Sequence, residues 1–295
     1  MPGILYDEDD ACVYVTEACN SNCIMCPMSL ASRRRGKRMT AEEWRDIPAL
    51  IPADTAHITV TGGEPFLETQ HCIEFIQSAR ERFPETEILI LTNGRALSLD
   101  SVFNEIAPYL TERICFAIPI HGDTAERHDG ITQSPGSFRQ SMAALRKLKG
   151  TCAKIEIRIV GHQLNLPYIS DIYRMLADSD LRITTIHLLA MEMTGCAAAG
   201  RDRLWVDYDV LCKAAEPGIR YAVKKGINVG LYNFPLCMIP KELWPIAKES
   251  ITPYKVRYDP KCEACRVKPV CGGMFYSTFE LGLCKVKPIE SEDGC

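Results

Sequence analysis

Cys19, Cys23 and Cys26 stand in the stretch ACNSNCIMCPM, directly after the apolar run Val13–Val15. Three thiols at these spacings can wrap one corner of a metal–sulfur core. Thiolate ligands select zinc, copper(I) or the irons of an iron–sulfur cluster. An iron–sulfur cube takes four cysteines as a rule, and no fourth cysteine lies within easy loop reach of these three. The loop therefore points to a cube with one iron left open, where a small molecule can bind and receive an electron. Two other readings stay open on the loop alone. Cys23-Ile-Met-Cys26 could be a redox pair, which leaves Cys19 without a role, or half of a zinc site that needs a further ligand.

The elements that must position this loop alternate along the chain. Strands are expected over 11–16, 56–61, 87–92, 113–120, 154–160 and 182–189, with helices over 40–50, 68–83, 98–110, 137–149 and 166–177. Thr40-Ala-Glu-Glu43 is a capping box that opens the first of these helices. Six β–α repeats imply a parallel sheet with right-handed crossovers, two units short of a closed eight-fold barrel. In such folds ligands bind at the carboxyl ends of the strands. The cysteine loop ends the first strand, Thr61-Gly62-Gly63-Glu64-Pro65 the second, Thr92-Asn93-Gly94 the third and Pro119-Ile120-His121-Gly122 the fourth. Any one of these segments could be a mere turn, but four of them share a rim with a metal-type loop.

After about residue 195 the pattern changes. A helix is expected over 208–225 and a strand over 227–231, proline becomes frequent, and Cys262, Cys265 and Cys271 follow at C-x2-C-x5-C spacing. The expected fold is α/β: a partial (β/α)6 TIM-like barrel over 1–205 and a small cysteine-rich domain built around a metal over 206–295.

The chain has 295 residues, 46% of them hydrophobic and 24% charged, which suffices for one large core and a small second one. A net charge of −4 argues against bulk nucleic-acid binding and points to no membrane surface. No run approaches the length of a membrane span, and the acidic N-terminus is unlike a signal peptide, so a cytoplasmic location is expected. In a reducing compartment, clustered members of the 15 cysteines read as metal ligands. Cys72, Cys115, Cys152, Cys196 and Cys212 lie in apolar runs and read as small core residues. The basic run Arg33–Arg38 is either a solvated connection or a docking patch for an acidic electron donor or an acidic leader peptide. Tyr14, His57, Glu192, Tyr232 and Tyr254 are further residues that could face a cavity.

The order C-x3-C-x2-C, then GGEP, then a six-fold β/α pattern resembles the radical S-adenosylmethionine (radical SAM) enzymes. The resemblance implies that Cys19, Cys23 and Cys26 hold a [4Fe–4S] cluster whose open iron is chelated by the amine and carboxylate of SAM. An electron from the cluster then breaks a carbon–sulfur bond, and the 5′-deoxyadenosyl radical released abstracts a substrate hydrogen. By the same resemblance Gly62, Gly63, Glu64 and Pro65 cradle the methionyl amine. Glycines allow the close approach, and a carboxylate favours the cation. Arg158 is expected at the SAM carboxylate as a planar cation, the alternative being a pair with a surface acid. Asn93 and Leu189–Met191, Leu189 and Met191 in particular, occupy ribose- and adenine-contacting positions.

His121-Gly-Asp123, His128-Asp129-Gly130 and Gly136-Ser137-Phe138 are similar to segments of radical SAM enzymes that carry a C-terminal SPASM or twitch domain. Those enzymes have a serine and Leu-Asp-Gly where this chain has Pro119-Ile120-His121-Gly122. The departure makes His121 a candidate substrate-facing or acid–base residue, against the alternative of a satisfied structural histidine. Cys262, Cys265 and Cys271 match part of the seven-cysteine SPASM pattern. Phe275 stands where another cysteine would follow. One auxiliary [4Fe–4S] cluster is expected, with Cys237 as fourth ligand and Cys284 as runner-up; a structural zinc on the same thiolates is the alternative.

The segments IEIRIVGHQ, MEMTG, LYNFPLC and the Leu-Trp-Pro of KELWPIAKESI resemble the His-Xaa-Ser system radical SAM maturases. That resemblance implies a ribosomal precursor peptide as substrate, and a flavodoxin- or ferredoxin-type electron donor is expected as a further partner. About ten residues precede the first expected strand, too few for a leader-binding domain, so peptide delivery is expected to need a separate leader-binding protein or partner maturase, or a direct contact with the tail. The alternatives are a radical SAM dehydrogenase or epimerase acting on a small molecule, and a zinc or iron–sulfur binding module without turnover.

Overall fold

A computed structural model describes residues 2–7, 10–248 and 255–290; Tyr254 lies outside them. Nine strands form one sheet in sequence order: β1 (Gly3–Asp7), β2 (Asp10–Thr16), β3 (His57–Gly62), β4 (Glu87–Leu91), β5 (Ile114–Pro119), β6 (Lys154–Val160), β7 (Thr185–Leu189), β8 (Asn228–Tyr232) and β9 (Ala247–Lys248). From β2 onward every neighbour is parallel, and β1 is an antiparallel edge on β2. Among the described residues no pairing joins β9 back to β1, so the barrel stays open.

Alternation explains why these strands curve round a lumen. Val13, Ile58, Ile90, Phe116, Ile157 and Leu188 are each fully buried under the helices. The residues between them, such as Tyr14, Thr61, Arg158, His187 and Tyr232, are only half-buried and face the concave side. The covering helices are α1 (Leu30–Arg35), α2 (Ala41–Leu50), α3 (Thr69–Arg82), α4 (Asp100–Ile106), α5 (Ala125–Thr132), α6 (Ser137–Lys149), α7 (Ile169–Asp178), α8 (Gly195–Ala199), α9 (Arg201–Leu204) and α10 (Tyr208–Lys224). The Thr40 capping box forms as expected, with Thr40 and Glu43 bonding each other's backbone N–H.

The six expected parallel strands are present, and the sheet continues beyond residue 205. Leu211, Cys212, Ala215, Ile219 and Ala222 give α10 an apolar stripe like that of the barrel helices. It packs beside α7 and delivers β8 parallel to β7. The rest of the tail is short: β10 (Val256–Arg257) pairs with β11 (Met274–Phe275), and α11 (Tyr276–Glu280) follows. It is fastened to the mouth of the barrel. Ser277 Oγ accepts from Met193 N at 2.9 Å, and Lys255 Nζ lies 3.0 Å from Glu192 Oε2.

Candidate active site

The loop after β2 is held from distant parts of the chain. Asn22 N and Ile24 N donate to Thr132 O and Ile131 O, both at 3.0 Å, and Cys26 O accepts from Cys196 N at 3.0 Å. Arg33 is only 3% exposed. Its guanidinium donates to Ser21 O and to Cys196 Sγ, each at 3.0 Å. Beneath the loop Met25, Ile131, Met191, Met193, Ala197 and Leu204 form a small apolar cluster. Met191, expected near adenine, thus supports the cysteine loop.

The three thiols suit a cluster. Burial pushes Cys19 up to about 11, helped by Glu64 and Cys26, and pushes Cys23 up to about 12, helped by Cys19 and Cys26. Cys26 is raised as well, chiefly by burial. The sulfurs therefore feel one another, and a cation that binds them must displace their protons. Backbone N–H groups of Ser21 and Met28 point at Cys19 Sγ and Cys26 Sγ at 3.4 and 3.5 Å, the kind of support that tunes cluster sulfurs. Among the described residues no three His, Cys, Asp or Glu side chains converge closely enough to hold a single metal ion. The donor set of three separated thiols fits a [4Fe–4S] cube with one iron open.

The Gly62–Pro65 segment clasps the root of this loop. Gly63 N donates to Thr16 O at 2.6 Å and Glu64 N to Ala18 O at 2.8 Å. A Cβ on Gly63 would lie 2.1 Å from Ala18 O, so only glycine admits this approach. Glu64 is fully buried. Its Oε1 accepts from Thr92 Oγ1 at 2.6 Å and Phe66 N at 3.0 Å, and its Oε2 from Asn93 N at 2.7 Å. The carboxylate is thereby engaged inside the protein, tying the end of β3 to the end of β4, where the sequence suggested a free partner for an amine. Asn93 in turn donates to Asn20 Oδ1 at 2.7 Å, and Arg95 to Asn20 O. Thr92, Arg95 and Arg33 complete the setting of the loop. Thr92 belongs to the Thr92-Asn93-Gly94 segment and Arg33 to the basic run, and neither local pattern signals this part.

Across the lumen lies a polar row. Arg158 on β6 is the direct cross-strand partner of His187 on β7, and His187 of Gly230 on β8. Arg158 Nε donates to Glu156 Oε1 at 2.6 Å, and His187 Nδ1 stands 3.1 Å from the same oxygen. Burial opposes the Glu156 charge, but His187 and Arg158 outweigh it and hold the group down at about 2. Arg158 pairs with this lumen acid, so its partner is not a surface one. Tyr232 stands edge-on to His187 with ring centroids 4.7 Å apart. The remaining cavity candidates lie elsewhere. Tyr14 donates to Met28 Sδ at 2.6 Å, His57 pairs with Asp10 at 2.8 Å at the far end of β3, and Leu189 neighbours Tyr232.

His121 is 2% exposed and stacks on His128, whose Nδ1 accepts the His121 N–H at 3.1 Å. It has no open face for a substrate. The neighbouring motif is a helix start: Asp129 accepts from Gly136 N, Ser137 Oγ and Phe138 N at the beginning of α6. Burial lowers His121 well below its usual range, and brings His128 and His162 down to about 4. All three are neutral in the folded chain, whereas unfolded histidine charges near pH 6.5. The unfolded state binds more protons below that pH, so stability is full above it and is lost on acidification. Stability against thermal unfolding should fall by about 1.4 kcal/mol per pH unit per histidine as pH drops from 6.5 to 4. His128→Asn should flatten the slope; an unchanged slope would show that His128 is already charged in the fold.

In the tail, Cys237, Cys262, Cys265 and Cys271 line one small cavity with Val267 and Met274. Leu236 N, Lys287 N and Ile289 N point at the sulfurs of Cys271, Cys237 and Cys265 at 3.3, 3.4 and 3.4 Å. Cys284 is near enough for Cys237 to raise its pKa, though burial is the larger cause, and it does not line the cavity. Of the other cysteines, Cys72 and Cys212 are buried, Cys115 is intermediate, Cys152 is exposed, and Cys196 belongs to the cysteine-loop setting.

Among the described residues no helix is long and apolar enough to cross a membrane. The AdoMet-dependent heme synthase of Oleidesulfovibrio alaskensis is 27% identical over 203 residues, 67% of this chain and 50% of that protein. The sporulation killing factor maturation protein SkfB of Bacillus subtilis is 25% identical over 166 residues, 56% of this chain and 38% of that protein. The chain thus spans half or less of these two relatives. The crystal structure of Streptococcus suis SuiB bound to precursor peptide SuiA shares the fold, with a TM-score of 0.57 at 14% identity, covering 75% of this chain and 48% of that one. A family model, the Radical SAM superfamily, matches residues 13–176, which run from β2 almost to the end of α7 and make up more than half of the sequence. This chain belongs to the radical SAM superfamily.

Proposed function

We propose that this radical SAM enzyme is a peptide maturase that takes a hydrogen from a ribosomal precursor peptide. The observation that carries the reading is a second cysteine group, the four-thiol cavity of the tail, fastened to the open mouth of the barrel. The likeness to SuiB and SkfB supports it. Cys19, Cys23 and Cys26 would hold the SAM cluster, and Cys237, Cys262, Cys265 and Cys271 one auxiliary [4Fe–4S] cluster, with Cys284 as the reserve ligand. When bound, cluster and SAM supply a 5′-deoxyadenosyl radical for hydrogen abstraction. Gly62–Pro65 shape the seat of the methionyl amine, with Glu64 bracing it from behind, and Asn93 and Leu189 flank the nucleoside. Arg158 presents the free end of its guanidinium to the SAM carboxylate, its Nε being fixed by Glu156. A precursor peptide, a leader-binding or maturase partner and a flavodoxin- or ferredoxin-type donor complete the system, in the cytoplasm.

Glu156→Gln removes the charged acceptor that aims Arg158. SAM affinity should fall about tenfold, the effect of about 1.4 kcal/mol, with iron content unchanged. An unaltered Kd for SAM would remove Arg158 from the carboxylate site.

A second reading, a small-molecule dehydrogenase or epimerase, is favoured by the heme synthase relative. Anaerobic reconstitution followed by addition of SAM and dithionite separates the possibilities. The maturase reading expects about eight irons per chain, as two cubes supply, together with 5′-deoxyadenosine formation and a mass or deuterium change in a precursor peptide. Cleavage with only small-molecule turnover would favour the second reading. A colourless zinc protein, or a brown one that leaves SAM intact, would overturn both.

A further inference from the structure

The basic run Arg33–Arg38 is divided by the fold. Arg33 is buried against the cysteine loop, and Arg38 pairs with Glu68 at 2.6 Å. Arg34 remains exposed, and far along the chain α9 brings Arg203 to the same place. Arg33, Arg34 and Arg203 line a cavity of about 410 Å³ that also contains Cys23, Ile24 and Cys196. Its walls come from α1, α8, α9 and the end of α5, and it shares no lining residue with the lumen row of Glu156, Arg158 and His187. No acid lines it, although the whole chain carries a net charge of −4. Asp202, the acid nearest in sequence to Arg203, pairs with Arg201 at 3.4 Å. One guanidinium nitrogen of Arg33, Nε, is buried with no partner. No carboxylate in the lining offsets the positive charge of this wall.

We propose that this cavity is the docking surface of a small acidic one-electron carrier of the flavodoxin or ferredoxin class, and that the electron enters through the Cys23 side of the loop. The proposal rests on the radical SAM reading, which requires one electron per SAM cleaved. The carrier is oxidised by one electron, the cluster is reduced by one, and no atom is transferred. Two features fit a protein surface. Arg34 and Arg203 are exposed members of the lining, and Leu30 in the same lining is 39% exposed, an apolar contact beside the two cations. The cavity floor includes Cys23 itself, so a carrier seated there comes close to a ligand of the cluster. Charges so arranged speed encounter with an acidic partner and lose their effect as salt rises.

The test uses reconstituted holoprotein with oxidised flavodoxin as the binding probe and reduced flavodoxin or dithionite as electron source. Arg34→Glu combined with Arg203→Glu should raise the flavodoxin Kd at least tenfold at low salt and remove most of its salt dependence. It should slow flavodoxin-driven 5′-deoxyadenosine formation by a similar factor and leave the dithionite-driven rate within twofold. An unchanged flavodoxin Kd would overturn the proposal. So would equal losses with flavodoxin and dithionite, because the charges would then act on the cluster loop. Weakened binding of a deca-glutamate peptide with flavodoxin binding intact would make the cavity a peptide site instead. If wild-type holoprotein fails to cleave SAM even with dithionite, the radical SAM reading fails, whereas the flavodoxin Kd still reports on the surface.

Discussion

Cys19→Ala, Cys23→Ala and Cys26→Ala in one chain should reduce SAM cleavage to background, a loss far larger than any single second-sphere change can produce. Among the described residues no other thiol is placed to take over. Cys196 lies beside the loop, but its sulfur is held by Arg33 at 3.0 Å, and the tail thiols are committed to their own cavity. The fold should survive, because the loop is fixed by backbone bonds to Thr132, Ile131 and Cys196 as well as by Arg33. Iron in the triple variant should fall to what the tail retains, about four per chain for one cube. The measurements are iron and sulfide content, the visible spectrum and 5′-deoxyadenosine by chromatography. Retained cleavage would sink the assignment of these three residues to the SAM cluster.

Gly63→Ala should be nearly as damaging to cluster content without touching a ligand. The added methyl would lie 2.1 Å from Ala18 O and 2.6 Å from Glu17 O, both backbone atoms with little freedom to yield. Relief requires the end of β3 to leave the loop root, breaking the bonds from Gly63 N to Thr16 O and from Glu64 N to Ala18 O. Two lost hydrogen bonds and the residual strain amount to about 2–4 kcal/mol, a fall in Tm of about 3–6 °C for a chain of this size. Gly130→Ala is the control. A Cβ there meets nothing within 4 Å, and alanine should be neutral or slightly stabilising within α5. A Gly63→Ala protein with full iron and unchanged Tm would mean that the glycine serves an approach to SAM alone.

The elements most legible in the sequence were those in which local and global demands coincide. Alternating Ile and Val named the strands, and Thr40 with Glu43 announced α2 before any packing was known. β8 was visible as a strand but was assigned to the tail. Its membership of the sheet depends on pairing with β7 and on α10 packing against α7, neither of which is local. Glu64 shows the same limit within the site. Its motif was plain, yet its partners come from β4: the hydroxyl of Thr92 and the N–H of Asn93 decide that it braces the rim. Arg33 was hidden among charged neighbours, because its burial follows from contacts with Ser21 and Cys196. Glu156 and His187 meet only through strand register, and nothing in either local sequence signals a pair.

The way the cysteine loop after β2 is held has consequences for biogenesis. Cys26 O is held by the N–H groups of Cys196 and Ala197, Ser21 O by Arg33, and Ile24 N by Ile131. The loop precedes α8 in the chain and is synthesised before it, but its shape is completed only when α8 has been made and packed. Until then three thiols lie on an unformed segment, free to oxidise or to capture stray zinc. On the proposed reading, iron–sulfur delivery to this loop would follow the packing of α8 and act on the folded rim rather than on the nascent cysteines.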